Sequence, residues 1–175
     1  MKMILTALEP EDLELLYTIE NNRSQWSVSN ANVPYSRYTL LDYITSQSND
    51  IYADKQVRFV IRIGEEGCTQ ADMRAVGLAD LFNFSPEHLR AEVGIALTED
   101  ECGKGYGTEA MRMLRDYAFN VLRLHTLYAT VPEDNSSSIA ILRACGFGND
   151  VVLRHWLRSN DEWKDAVQLF AYNGQ

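Results

Sequence analysis

Cysteine is scarce in this chain of 175 residues: Cys68, Cys102 and Cys145 are an odd number at wide spacing, with no Cys-x-x-Cys pair. They read as free thiols of a reducing compartment, and their spacing argues against a disulfide framework or a zinc site. Long apolar runs are also missing, so no segment has the length a membrane-crossing helix needs. The stretch from Met1 to Leu8 runs into Glu9, Glu11 and Asp12 too soon to be a signal-peptide core. Basic charge is in deficit: 16 Lys and Arg face 25 Asp and Glu, a net charge of −9. Nucleic-acid binding needs a basic footprint, so that class is set aside. The acidic balance suits a cationic substrate, although many proteins are acidic only to stay soluble. These absences lead us to expect a cytoplasmic protein with no membrane or nucleic-acid partner.

What is present is an ordinary globular composition, 46% hydrophobic and 23% charged, of a length that fits one domain spanning 1–175. No repeat, low-complexity segment or linker interrupts it. Met3 to Ala7 suits an opening strand, and Pro10 a first helical position before Leu13, Leu16 and Tyr17 on one helical face. Residues 21–37 are polar with scattered aromatics, which predicts a loop or short helical turns. Thr39 and Asp42 have capping-box spacing, which starts a second helix at Thr39. Alternation then predicts strands over Val57 to Ile63, Ala75 to Phe84 and Ala91 to Leu97. In the last of these, Ala91, Val93, Ile95 and Leu97 face one way, and Glu92, Gly94 and Ala96 the other. Thr108 to Leu122 predicts a helix with Met111, Leu114, Ala118 and Val121 on a shared face. A strand over Leu124 to Val131 and a helix over Ser136 to Ala144, stopped by Gly146, follow. Val151 to Leu157 and Ala166 to Tyr172 close the chain as a strand pair, with Trp156 and Trp163 expected to pack. The order is that of a mixed α/β or α+β domain with its sheet wrapped by four helices.

The most informative segment is Cys102-Gly-Lys-Gly-Tyr-Gly-Thr108, between a strand and a helix. Three alternate glycines permit a tight path with backbone amides turned inward. The following helix adds unpaired N–H groups and the positive end of its dipole, a ready site for pyrophosphate, and Lys104 adds a nearby charge. A P-loop would need glycine where Thr98 stands. A dinucleotide fold would need a ribose-binding acid about 20 residues beyond the turn, and Arg123 to Val131 has none.

This segment resembles the acetyl-CoA turn of the GNAT family of N-acetyltransferases, Gln/Arg-x-x-Gly-x-Gly/Ala, with Cys102 in place of the first residue. Asn135, Ser138, Ala140 and Cys145-Gly146-Phe147 resemble the second half of the family pattern. Leu8-Glu-Pro-Glu-Asp-Leu13, Glu20-Asn-Asn-Arg-Ser24 with Trp26, and Pro34-Tyr35 are similar to bacterial spermidine N-acetyltransferases. Ribosomal-protein N-terminal acetyltransferases share the C-terminal half. The resemblance implies the acyl-CoA N-acyltransferase fold, a mixed sheet of about seven strands wrapped by four helices. It implies direct attack of an amine on acetyl-CoA, and often a homodimer or larger homo-oligomer.

By the same resemblance, Ile95, Ala96 and Leu97 border the pantetheine arm, and Cys102, Gly103, Lys104, Gly105, Tyr106, Gly107 and Thr108 hold the pyrophosphate. Asn135 and Ser138 belong to the second motif, and Ser138 bonds the arm. Glu92 is the expected base, on a face where Gly94 and Ala96 leave room; the alternatives are a carboxylate that anchors a positive group of the substrate and one that merely stands on an exposed strand face. Trp26 and Tyr35 line an acceptor pocket or fill the core. Leu142 stands where many relatives have a tyrosine acid, and a thiolate of unperturbed pKa about 8.5 leaves without one. Two acceptors stay open, a polyamine or diamine and a peptide amino terminus. Where the polyamine enzymes look acidic, this chain has Asn30, Ala31, Asn32 and Val33. A further alternative is a domain that binds acetyl-CoA without turnover.

Overall fold

Alternating apolar residues give each central strand two faces, and both faces are buried by helices. A computed structural model describes residues 1–22, 33–159 and 161–174. The strands β1 (Lys2–Ala7), β2 (Val57–Gly64), β3 (Arg74–Ser85), β4 (Arg90–Leu97), β5 (Thr126–Pro132), β6 (Gly148–Ser159) and β7 (Glu162–Tyr172) form one sheet in the order β1-β2-β3-β4-β5-β7-β6. All neighbours are antiparallel except β4 and β5. That parallel pair needs a long crossover, supplied by a helix.

Among the described residues the α-helices are α1 (Leu13–Glu20), α2 (Arg37–Ser46), the single turn α3 (Ile51–Asp54), α4 (Tyr106–Asn120) and α5 (Ser136–Ala144). The four longer ones match the expected set, and α3 is an addition. On one face Ala91 and Val93 pack with Met111, Leu114 and Ala118 of α4 and Leu142 of α5. On the other, Leu16 and Ile19 of α1 and Leu40 and Ile44 of α2 cover Val60 and Leu78. Among the described residues no helix is long and apolar enough to cross a membrane.

Three expectations need correction. Helix α2 starts at Arg37, not Thr39: Ser36 is the cap, its hydroxyl accepting from the Thr39 amide at 3.1 Å. Val121 is 62% exposed, because α4 ends at Asn120 and the chain turns through a left-handed Arg123 (φ 57), which sends Leu124 into the core instead. Trp156 and Trp163 are 59% and 61% exposed rather than packed. They belong to the outer hairpin, where β6 is the sheet's edge and a bulge between Leu153 and Leu157 breaks the pairing.

Candidate active site

The parallel strands β4 and β5 pair only where Arg90, Ala91 and Glu92 face Thr126, Leu127 and Tyr128. Beyond that point β4 runs on to Leu97 beside β3 alone, and β5 runs on to Pro132 beside β7. The sheet therefore opens as a wedge whose apex is the Glu92–Tyr128 pair. The Thr98 amide donates to Val76 of β3 at 3.1 Å. Backbone direction alternates along a strand, so the Leu97 and Ile95 amides point the other way, into the wedge. These are obligatory donors, and an extended ligand arm bearing carbonyls satisfies them. Ile95 and Leu97 thus present their amides on the β4 side, while Ala96 between them turns its own toward β3.

The glycine turn closes the wide end of the wedge. A 3-10 turn over Glu99–Glu101 leads through Cys102 to Gly103 (φ +76) and Gly105 (φ +85), and α4 begins at Tyr106. Both positive angles favour glycine, and a Cβ at either residue would meet nothing within 4 Å. The space over the turn is open. The amides of Tyr106, Gly107 and Thr108 precede the first in-helix bond, Glu109 N–H to Gly105 C=O at 3.3 Å, and face out of the helix end. This is an anion cradle by geometry. Gly107 serves differently: it is buried, and a Cβ there would lie 3.1 Å from Ile141 of α5, so glycine lets α4 and α5 close.

Cys102 is exposed, its Sγ 3.5 Å from the Thr98 carbonyl. Lys104 Nζ donates to Glu101 at 3.1 Å, and Arg74 of β3 grips the same carboxylate. The Arg74 hydrogen bond is the largest cause holding the Glu101 carboxyl down at about 2, with Lys104 adding to it. Neither Arg74 nor Glu101 stood out in the sequence, where they lie far apart.

On the β5 side, the strand leads into α5 through Asn135, whose Oδ1 accepts from the Ser138 amide at 3.1 Å and the Ser137 hydroxyl at 3.0 Å. Asn135 is thus the helix cap that brings Ser138, half-buried, to this flank.

At the apex Glu92 shares the face of Gly94 and Ala96, toward α1 and α2. Its Oε2 accepts from Asn83 Nδ2 at 2.9 Å. Asn83 sits in the β3–β4 bulge with φ 51. Burial, and then the Glu92 charge, push the Tyr128 phenol up, so it keeps its proton at neutral pH. Along the same face, in register with Gly94, Asp80 holds Arg58 at 2.8 and 2.9 Å, and Glu20 of α1 holds it at 2.6 Å. Asn83, Asp80 and Arg58 were missed; the one signal was a charged pair on the polar side of two apolar strands. Tyr35 exchanges backbone bonds of 2.8 and 3.1 Å with the Asn21 side chain, and its ring packs against the α1–α2 cluster. Trp26 lies outside the described residues.

Leu142 is 2% exposed and Cys145 0%, both inside the core. Cys145 donates to the Thr108 carbonyl at 3.4 Å, and burial pushes its thiol up. Their placement is that of packing groups. Leu142→Ala is expected to cost about 2–5 kcal/mol of stability in denaturant unfolding, through loss of core volume. A recess of about 470 Å³ beside Met1, Gly64 and Cys68 meets the site at Arg74, whose guanidinium grips Glu101 of the turn.

The chain is similar to known proteins over nearly its whole length. The model of the acetyltransferase (GNAT) domain matches residues 2–148. Spermidine N(1)-acetyltransferase of Escherichia coli (strain K12) is 29% identical over 174 residues, covering 98% of this chain and 86% of the relative. The enzyme of the same name from Vibrio cholerae serotype O1 is 26% identical over 172 residues, 97% of this chain and 92% of the relative. The solved structure of Vibrio cholerae spermidine N-acetyltransferase in complex with CoA and spermine has a TM-score of 0.83 at 25% identity, covering 98% of this chain and 95% of that one. With the wedge and the turn in place, the chain belongs to the GNAT family and is an N-acetyltransferase that uses acetyl-CoA.

Proposed function

We propose that the chain acetylates a primary amine of a polyamine, diamine or similar small amine at the apex of the wedge, with Glu92 as the base. The observation that carries the reading is the opening of the sheet at Glu92 and Tyr128, with the glycine turn at its other end. Acetyl-CoA fits this arrangement on two counts: free space over Gly103 and Gly105, and strand amides turned into the gap. Bound there, it supplies the acetyl group as a thioester. The turn and the first amides of α4 bind the pyrophosphate, while Ile95 and Leu97 orient the arm and offer an N–H to the developing oxyanion. An acceptor amine of pKa about 10 arrives mostly protonated, and Glu92, directly or through a water, takes its proton. Asn83 holds Glu92 in place.

The polyamine version is supported by the spermidine enzymes similar to this chain and by its net charge of −9. The peptide amino-terminus version has two points in its favour: the core Leu142 where the polyamine enzymes carry a tyrosine, and Asn30 to Val33 where they look acidic. A competition panel separates them: thiol release from acetyl-CoA with spermidine, spermine, short diamines, amino acids and amino-terminal peptides. Turnover is expected with the polyamines or diamines, and turnover confined to peptides overturns the first version.

The reading takes the chain as one catalytic domain working in the cytoplasm. It also takes it as a homodimer or larger homo-oligomer, for which the exposed Val151, Val152, Trp156 and Trp163 offer apolar surface. Light scattering measures that mass directly; a monomer at micromolar concentration rejects it.

A further inference from the structure

Glu101 is a buried carboxylate to which the chemistry above gives no task. Its side chain is 10% exposed, whereas Arg74 and Lys104, which bond it, are 56% and 47% exposed. Its neighbours Glu99 and Asp100 point outward. A buried carboxylate persists when it is paired, and this one is paired from two directions: from β3 through Arg74, and from within the glycine turn through Lys104. The turn needs such a hold. It contains two glycines at positive φ, which lose more freedom on ordering than other residues, and Cys102 offers only a weak contact to Thr98. A loop ordered before its ligand arrives binds more tightly than one ordered by it.

We propose that Glu101 is the positioning residue of the acetyl-CoA turn: held by Arg74 and Lys104, its carboxylate fastens the turn to β3 so that the amides after Gly103 meet the pyrophosphate preformed. The proposal rests on the turn being the acetyl-CoA site. It has a definite sign. Removing the carboxylate frees two cations beside the phosphate site, and a purely electrostatic role for Glu101 predicts tighter binding of the anionic ligand. The fastening role predicts weaker binding.

The test is calorimetric titration of acetyl-CoA into wild type, Glu101→Gln, Arg74→Gln and the double variant, with steady-state kinetics on each. Glu101→Gln is expected to weaken acetyl-CoA binding by about tenfold or more and to raise its KM alike, with kcat at saturation and the acceptor KM unchanged. Arg74→Gln, at an exposed side chain, breaks the same link from the other end and covers the case in which Glu101→Gln does not fold. The double variant is expected to be no worse than the poorer single one, since both cut one connection. Unchanged or tighter binding in the single variants, or additive losses in the double, overturns the proposal. Gly105→Val serves as the control: if it also binds normally the turn is not the acetyl-CoA site, whereas its failure beside normal Glu101→Gln rejects the fastening role alone.

Discussion

Glu92→Gln is expected to lower acetyl transfer at pH 7 by about 10²–10⁴-fold while acetyl-CoA binds as before. Glutamine keeps the shape of the side chain and can still meet the Asn83 amide that holds Glu92 at 2.9 Å. What it loses is the charge and the capacity to take a proton. The deficit is expected to shrink as pH rises toward the amine's own pKa of about 10, because the acceptor then arrives already neutral. A pH–rate profile of both proteins measures this. Equal rates across the range leave Glu92 with no part in proton transfer. A constant deficit at every pH, carried in the acceptor KM, assigns it instead to anchoring a positive group of the substrate.

Gly105→Val is expected to abolish measurable acetyl-CoA binding. Gly105 has φ +85, and a β-branched residue there meets the left-handed penalty of roughly 1–2 kcal/mol. Strain of about 2 kcal/mol, if relieved by moving the turn out of its binding shape, already corresponds to about 30-fold in affinity. The side chain adds a second obstacle. A Cβ at Gly105 meets no protein atom within 4 Å, so the added bulk stands in open space at the turn, where it is expected to obstruct the pyrophosphate. Gly105→Ala separates the two effects, keeping the strain with less bulk, and is expected to bind weakly where valine does not bind. Calorimetry on folded variants is the measurement. Retained affinity in folded Gly105→Val contradicts the cradle.

The glycine turn and the central strands were legible because each is written locally, the turn in its alternate glycines and the strands in a period of two. The wedge was not. That β4 and β5 pair at Arg90–Glu92 and then part depends on which strand lies beside which, and no local pattern encodes it. The same limit hid the side chains that hold the site together. Arg74 reaches Glu101 from another strand, and Asn83 reaches Glu92 across a bulge that puts it in a left-handed conformation. Gly107 was legible as part of a glycine motif, but its reason, the approach of Ile141 to 3.1 Å, belongs to helix packing. Val121 and the hairpin tryptophans failed for a related cause. Periodicity says which residues share a face and says nothing about where the partner that covers that face ends.

Acetyl transfer from acetyl-CoA onto an amine is what the wedge and the glycine turn together are expected to perform. Its most direct test is mass spectrometry of spermidine and its diamine analogues after incubation with acetyl-CoA and the purified protein. An acetylated amine is expected to form in step with free CoA thiol, and to be absent from the Glu92→Gln reaction over the same interval. No acetylated product from any amine or amino-terminal peptide, from protein that binds acetyl-CoA, would contradict it and leave a domain that holds the thioester without using it.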